Sequence, residues 1–540
     1  MGTQRRIRDI APAAVLLSVI LGAAGCRIPA VRTTPELAAL QAKTGRIETV
    51  QLAKQSQSPP VSIEQATKEL ARQVTEPNQP RPVANLTLEE VRAAALANNL
   101  DLQVQLVNPA LAQQTVDVER ARFESVFRAS ASYATAELPG GDSLSSRAYR
   151  VGIDTPLQTG GRITAGLPIQ EAGGVAEAAA SVSVVQSLLR GAGTRINTYY
   201  IQIAGYQKGA VDALTKLQAI SILGNADIAY WRLYAARKQL DVGREQYKLA
   251  QNQLRHAHLK VEAGSAPKIE IVYAEAGLSS RLDAVISAET AVRDFERDLK
   301  RIMSRPDMPL NSPVEVNTVT DPDPKGLDLD QGALVEAALA NRMELAELEF
   351  RLAIGDIDLA LARNNRLPLL DLEYAYVAGG QAGNVGGAFE DLFRDPLHDH
   401  RIGLSATIPL GNRAAEARLR RARLAKVQDE VSRDRQEQRI RQEVYDAVDG
   451  LQQNWRRILA AEQGVITAYR NYRVRQSQFQ VGRTDSTEVL RAAESLAVEQ
   501  FRRIRAFAEY EIAQVLLARA TGTLLGHGQV QLSPVVLEGK

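Results

Sequence analysis

The sequence has little of what holds or anchors most proteins of its length. Cys26 is the only cysteine among 540 residues, which excludes an intrachain disulfide framework and any zinc site built on a cysteine cluster. No apolar run reaches the ~18 residues that a membrane-spanning helix requires. Aromatic residues make up 5% and charged residues 24%. Gln, Ala, Arg and Leu dominate long stretches, a composition of extended helices rather than of several thick globular cores. Charge of one sign is also missing. Lys and Arg total 65 against 63 Asp and Glu, a net of +2. Arg5, Arg6 and Arg8 less Asp9 already account for that +2, so the remainder is neutral and a strongly cationic nucleic-acid binder is excluded.

Catalytic patterns are absent too. There is no His-Glu-x-x-His and no Gly-x-Ser-x-Gly. The glycine-rich stretch Gly379 to Gly387 lacks the strand–turn–helix setting and the Lys-Ser/Thr of a phosphate loop. His256 and His258 are two apart on a helical stretch and do not face one another. Trp231 and Trp455 sit in helical runs and read as packing residues. His398-Asp399-His400, near Asp391 and Asp395, invites a metal reading, against which stands an ordinary polar loop before a strand. No enzyme and no cofactor is expected; energy for any transport has to come from a partner.

The N-terminus reads as an address. Arg5, Arg6 and Arg8 precede a stretch of small and apolar residues, Ile10 to Ala24, of signal-peptide length. It ends Leu21-Gly22-Ala23-Ala24-Gly25-Cys26. Two readings are open: a lipobox, with Cys26 acylated and first in the mature chain, or an ordinary signal peptide cut near Ala24. Either exports the protein. The Gln-, Thr- and Pro-rich residues 26–84 read as a tether with one short helix around 63–73.

Beyond the tether the chain is written twice. Leu86-Thr87-Leu88-Glu89 leads into Ala94-Ala95-Leu96-Ala97-Asn98-Asn99, and Leu327-Asp328-Leu329-Asp330 leads into Ala337-Ala338-Leu339-Ala340-Asn341-Arg342. Each opening is followed by strand-like alternation, Phe127 to Thr135 and Leu370 to Tyr376, and by a returning strand, Val182 to Gly191 and Ile402 to Leu410. Period-two patterns bounded by glycine-rich loops predict β-hairpins. The segment 140–177 is long for a hairpin loop, and its parts 147–156 and 161–170 have the pattern of an additional hairpin, either projecting outside the main sheet or adding to its strands, which leaves the strand count per chain open.

Each half then enters a rod, roughly 207–262 and 413–481, of ~80 to ~100 Å at helical rise. Leu233, Leu240, Tyr247, Leu254 and Val261 are spaced by seven, with Ala236, Gly243, Ala250 and Ala257 three residues after the first four. That is a coiled-coil seam narrow enough for close approach. A second stripe runs from Leu278 through Val285 and Val292 to Ile302, and a less regular one from Val498 to Val515. The rods reverse at Gly264 and Gly482, each followed, after five intervening residues, by an acid and a β-branched residue: Glu270-Ile271 and Glu488-Val489.

These openings, with Ile408-Pro409-Leu410-Gly411-Asn412-Arg413, Gln186-Ser187-Leu188-Leu189-Arg190-Gly191 and the paired turns, make residues 85–525 resemble the TolC-type outer-membrane efflux protein family. Ser187 stands where that family commonly has proline. The resemblance implies a mostly α protein with two β-hairpin regions, internally duplicated. It implies a homotrimer whose hairpins close a twelve-stranded barrel in outer-membrane lipid, continued by a long periplasmic α-barrel. The trimer would be the passive exit duct of a tripartite efflux or type I secretion system, served by a periplasmic adaptor (membrane fusion protein) and an inner-membrane pump. No nucleic-acid partner is implied. The division that follows is 1–25 signal peptide, 26–84 lipid-anchored tether, 85–310 first repeat, 311–525 second repeat and 526–540 tail.

By the same resemblance Glu270 and Glu488 lie near the periplasmic constriction, with Thr484 and Arg491 at further gate positions. The plainer reading makes the acids first-turn residues favourably placed at helix N-termini. The turns Ala263-Gly264 and Val481-Gly482-Arg483 would meet the adaptor, or are simply solvated loop. A different class of function, a lipid-anchored periplasmic coiled-coil scaffold or adaptor without a pore, would not need alternating hairpins.

Overall fold

The computed structural model describes residues 61–63, 65–66, 82–137, 143–481 and 483–527. Cys26, the leader, nearly all of the tether with its predicted helix, Gly482 and the tail from 528 lie outside the described residues. Gln79–Lys540 forms one compact unit, apart from Met1–Asn78, and the description concerns the former.

Strand β1 (Val83–Leu86) leads into α1 (Leu88–Asn98) and α2 (Leu100–Arg120). Four strands follow: β2 (Val126–Glu137), β3 (Ser143–Pro156), β4 (Gly161–Ala172) and β5 (Val175–Ser187). The short α3 (Thr194–Asn197) opens into α4 (Tyr199–Glu262) and α5 (Ile269–Met303). The second half runs β6 (Glu315–Thr318), α6 (Gln331–Asn341), α7 (Met343–Asn364), β7 (Leu369–Ala382), α8 (Val385–Arg394), β8 (Leu397–Thr407), α9 (Arg413–Gln480), α10 (Ser486–Ala520) and α11 (Leu524–His527). The halves match in length. α1 and α6 have 11 residues each, α2 and α7 have 21 and 22, α4 and α9 have 64 and 68, and α5 and α10 have 35 each.

Local chemistry sets the helix ends. Thr87 and Glu90 form a reciprocal capping box at the start of α1, and the Asp330 side chain accepts from the Gly332 and Ala333 amides at the start of α6. Asn99, between α1 and α2, donates to the Ile302 carbonyl at 2.8 Å; Arg342, at the matching place, donates to the Ala520 carbonyl at 3.1 Å. Each repeat thereby satisfies a free carbonyl at the end of its second long helix. The parallel pair β1–β6, from Val83↔Glu315 to Leu86↔Thr318, joins the two halves. Beside it, Arg92 holds the fully buried Asp227 with two bonds of 2.8 and 2.9 Å. That geometry compensates both charges in a buried site.

The predicted seam of α4 is buried at Leu233, Ala236, Leu240, Gly243, Tyr247, Ala250 and Ala257, while Leu254 and Val261 near the tip are half-exposed. α2 packs on α4, α4 on α7 and α7 on α9, a four-helix layer with α2 and α9 at its edges. Nearer the tips, α4 packs between α5 and α10. The edges carry apolar stripes that stay exposed within the chain: Leu100, Val104, Val107, Leu111 and Val118 on α2, and Leu424, Val427 and Val431 on α9.

The order of the sheet is β2-β3-β4-β5-β7-β8, every neighbour antiparallel. The additional hairpin exists as β3–β4 and lies within the sheet, between β2 and β5, which settles the strand count that the sequence left open. β2 therefore does not pair with the returning strand of its own repeat. Instead β5 pairs with β7 across the repeat boundary, from Ala176↔Ala382 to Ser187↔Asp371. The returning strand also ends at Ser187, before the Leu188–Gly191 stretch. Ser187 donates to Asp371 at 2.8 Å, a bond that proline could not make.

His398 and His400 sit inside β8, not in a loop. They hydrogen-bond the hydroxyls of Tyr376 (2.8 Å) and Tyr374 (3.1 Å) on the neighbouring strand. Among the described residues no cluster of His, Cys, Asp or Glu could hold a metal, so the tyrosine bonds account for both histidines.

Candidate functional site

Two regions carry the candidate function: the sheet and the helix tips at the far end. Register across the sheet puts Phe127, Ile153, Ile163, Val184, Leu372 and Leu404 on one face. Val151, Leu167, Val182, Tyr374 and Ile402 follow two residues on, on the same face. The opposite face carries Arg128, Ser130, Ser132, Arg150, Asp154, Arg162, Thr164, Ser181, Ser183, Asp371, Glu373 and Arg401. One side is suited to lipid and the other to water, the alternation of an outer-membrane barrel wall. Near the helical end of the polar face, Asp154 lies 2.9 Å from Arg162 and 3.5 Å from Arg128. The two edges, β2 and β8, have no strand partner among the described residues. Free edges do not persist in hydrocarbon.

Helix α8 was not foreseen. Asn384 caps it by accepting from the Gly387 amide at 2.9 Å, and Ala388 and Leu392 pack on Ala176 and Ala178 of β5. These alanines share the face of Val182 and Val184, so the helix covers the apolar side at the end of the sheet remote from the rods. Gly380 permits the approach: a Cβ there would collide with the α8 backbone at Ala388 and Leu392.

At the tips, α4 closes with a glycine-terminated cap. Gly264 has φ +69°; its amide bonds the Val261 carbonyl at 3.0 Å, and the Ser265 amide bonds Lys260 at 2.9 Å. This is the Schellman arrangement, which favours glycine at that position. The amide of Arg483 bonds the Gln478 carbonyl at 2.8 Å, the same six-residue closure at the end of α9. Ala263, Val481 and Arg483 are exposed on these turns and Thr484 is half-buried.

Both predicted acids lie in the first turn of their helices, and both are engaged. The Ser486 hydroxyl donates to the Glu270 carboxylate, linking the tips of the two repeats. Arg491 donates to Glu488 at 2.9 Å, one turn along α10. Asp485 caps α10 through the Glu488 amide at 2.9 Å. Lys260 lies 3.4 Å from the centre of the Phe479 ring, and Arg281 lies 3.3 Å from Glu494. These contacts bring Glu270 and the α10 tip together within one chain. Ser486, Lys260 and Phe479 carried no sequence signal, because a serine after a cap and a lysine near a helix end are common for local reasons.

Residues 334–523 match the profile of the outer membrane efflux proteins. The fold is shared with the outer-membrane channel OprN (TM-score 0.62, 17% identity, 84% of this chain and 92% of that one). It is shared also with the Campylobacter jejuni CmeC outer membrane channel (0.63, 16%, 81% and 86%) and with the open state of the Neisseria gonorrhoeae MtrE outer membrane channel (0.60, 18%, 81% and 89%). No curated protein sequence matches the chain. The outer membrane efflux protein profile thus lies in the second half of the chain, and the fold as a whole is that of these channels. Its sheet and long helices have the architecture of an outer-membrane channel. Proteins of this family form homotrimeric channels and work with adaptors and pumps.

Proposed function

We propose that three copies of this chain form a passive, gated duct, docked through the exposed turns at Ala263–Gly264 and Val481–Arg483 to a periplasmic adaptor and an inner-membrane pump. The duct catalyses no covalent change and binds no cofactor. Residues 85–310 and 311–525 act as its two repeats, and 26–84 as a tether anchored by an acylated Cys26 after removal of 1–25. The observation that carries the reading is the pair of unmatched edges. β2 and α2 end one side of the chain, β8 and α9 the other, and both helices carry exposed apolar stripes. A head-to-tail ring of copies satisfies the strand edges and covers both stripes. A pore-free scaffold would leave them unexplained.

The tips form the gate. Glu270 and Glu488 from three chains make a ring of six carboxylates, whose field favours cations. Arg491, paired to Glu488, offsets half of that charge. In planar bilayers, Arg491→Gln raises cation over anion permeability, and Glu270→Ala with Glu488→Ala lowers it and raises conductance. Unchanged current and selectivity in both variants would remove the gate from these residues.

A further inference from the structure

We infer that the β3–β4 hairpin is a full pair of membrane strands, so that three chains close a wall of eighteen strands. Two hairpins per chain would give twelve. The inference rests on the trimeric duct proposed above and adds to it the size and lining of the pore.

Length supports it first. β3 and β4 have 14 and 12 residues, like the 12, 13, 14 and 11 of β2, β5, β7 and β8. A tilted strand needs only ~9–11 residues to cross a bilayer. Pairing is continuous from Val126↔Asp154 to Glu137↔Ser143 on one side of the hairpin and from Gly161↔Gln186 to Ala172↔Val175 on the other, broken only around Leu167 and Pro168.

Alternation supports it next. Tyr149, Val151, Ile153 and Ile163 continue the apolar face and are exposed on it, as a lipid-facing residue must be. Ser146, Arg150, Asp154, Arg162 and Thr164 continue the polar face. A hairpin lying in water on both sides has no reason to keep this division.

The turn fixes its height. The Gly193 amide and the Gln186 side chain both donate to the Thr159 carbonyl, at 2.9 and 3.0 Å, and Thr159 donates back to Gln186 at 2.8 Å. The hairpin is thus tied to the end of β5 and the start of the helical region. It begins at the level where its neighbours leave the rods and does not stand above the sheet. Six strands per chain also leave β8 antiparallel to β2 of the next copy, as closure of such a barrel demands. With strands ~4.8 Å apart and tilted by ~40°, twelve strands give a wall roughly 24 Å across and eighteen roughly 36 Å.

Cysteines placed one at a time in the full chain test this, with a water-soluble maleimide applied to the purified trimer in lipid and labelling read from peptide masses, so that Cys26 is told apart. Val151→Cys and Ile163→Cys should lose labelling as fully as Val182→Cys and Tyr374→Cys on β5 and β7, while Ser146→Cys and Thr164→Cys react. Labelling at Val151 and Ile163 with Val182 and Tyr374 still protected would overturn the eighteen-stranded wall and leave the duct intact. Labelling at all four would remove the lipid-embedded wall and the duct reading with it. Density for the unmodified trimer in a nanodisc gives a second, substitution-free test: eighteen strands support the inference and twelve overturn it.

Discussion

Glu511 shows how a single half-buried side chain makes the helical body sensitive to pH. Burial pushes its carboxyl up from 4.5 to about 7, opposed by a bond of 3.1 Å from the Asp323 amide and reinforced by the Asp323 charge. Its folded value exceeds its unfolded one, so the folded state binds the proton more tightly. The stability this contributes is complete below about pH 4.5 and is lost as pH rises through about 7. The expected outcome is a melting temperature that falls over this window in the wild type and falls less in Glu511→Gln, the variant being the more stable at pH 8. Parallel curves for the two proteins would show that Glu511 does not titrate there. At the tips, Arg491 beside Glu488 was legible as a one-turn spacing, and the two lie 2.9 Å apart in the structure.

Among the elements, the long helices and their reversals were the most legible, because a seven-residue spacing and a glycine stop are local signals. Leu233, Leu240 and Tyr247 name the seam without help from the rest of the chain. Strand-like alternation located β2, the β3–β4 hairpin and β7 for the same reason. What local signals do not encode is who pairs with whom. The insertion of β3–β4 between β2 and β5, and the β5–β7 ladder, are set by contacts between distant segments. Helix α8 escaped notice because its amphipathic stretch, Val385 to Arg394, is short and opens on two glycines. The histidines of β8 were placed in a loop because the polar run His398-Asp399-His400 conceals a period of two, whose partners are Tyr376 and Tyr374 across the strand.

Helix α8 also yields a test at this scale. It rests on small residues, and Gly380 is the point of nearest approach. Gly380→Val forces the helix off the sheet or bends the strand, a strain of ~1–3 kcal/mol by the usual cost of overpacking. Proteolysis of intact cells should then cut between Gly383 and Asp395 in the variant and spare the parent. Equal resistance in both would mean that α8 is not held by this contact.

For the whole molecule, the central claim is closure. One chain presents a six-stranded sheet and a four-helix layer, each ending in edges without a partner among the described residues, which the proposed ring of copies matches. The lining that register assigns to the water side is mixed in charge, with Arg128, Arg150, Arg162 and Arg401 among Asp154, Asp371 and Glu373. In the proposed duct such a lining passes many solutes and selects few.

The most direct measurement of closure is the mass of the protein extracted by detergent from an outer-membrane fraction, by light scattering with the detergent subtracted. Three chains of 58.8 kDa give 3 × 58.8, roughly 176 kDa before removal of the leader. A species near that mass, found in the outer-membrane fraction, is the result predicted. A monomer or dimer released without detergent would contradict the account.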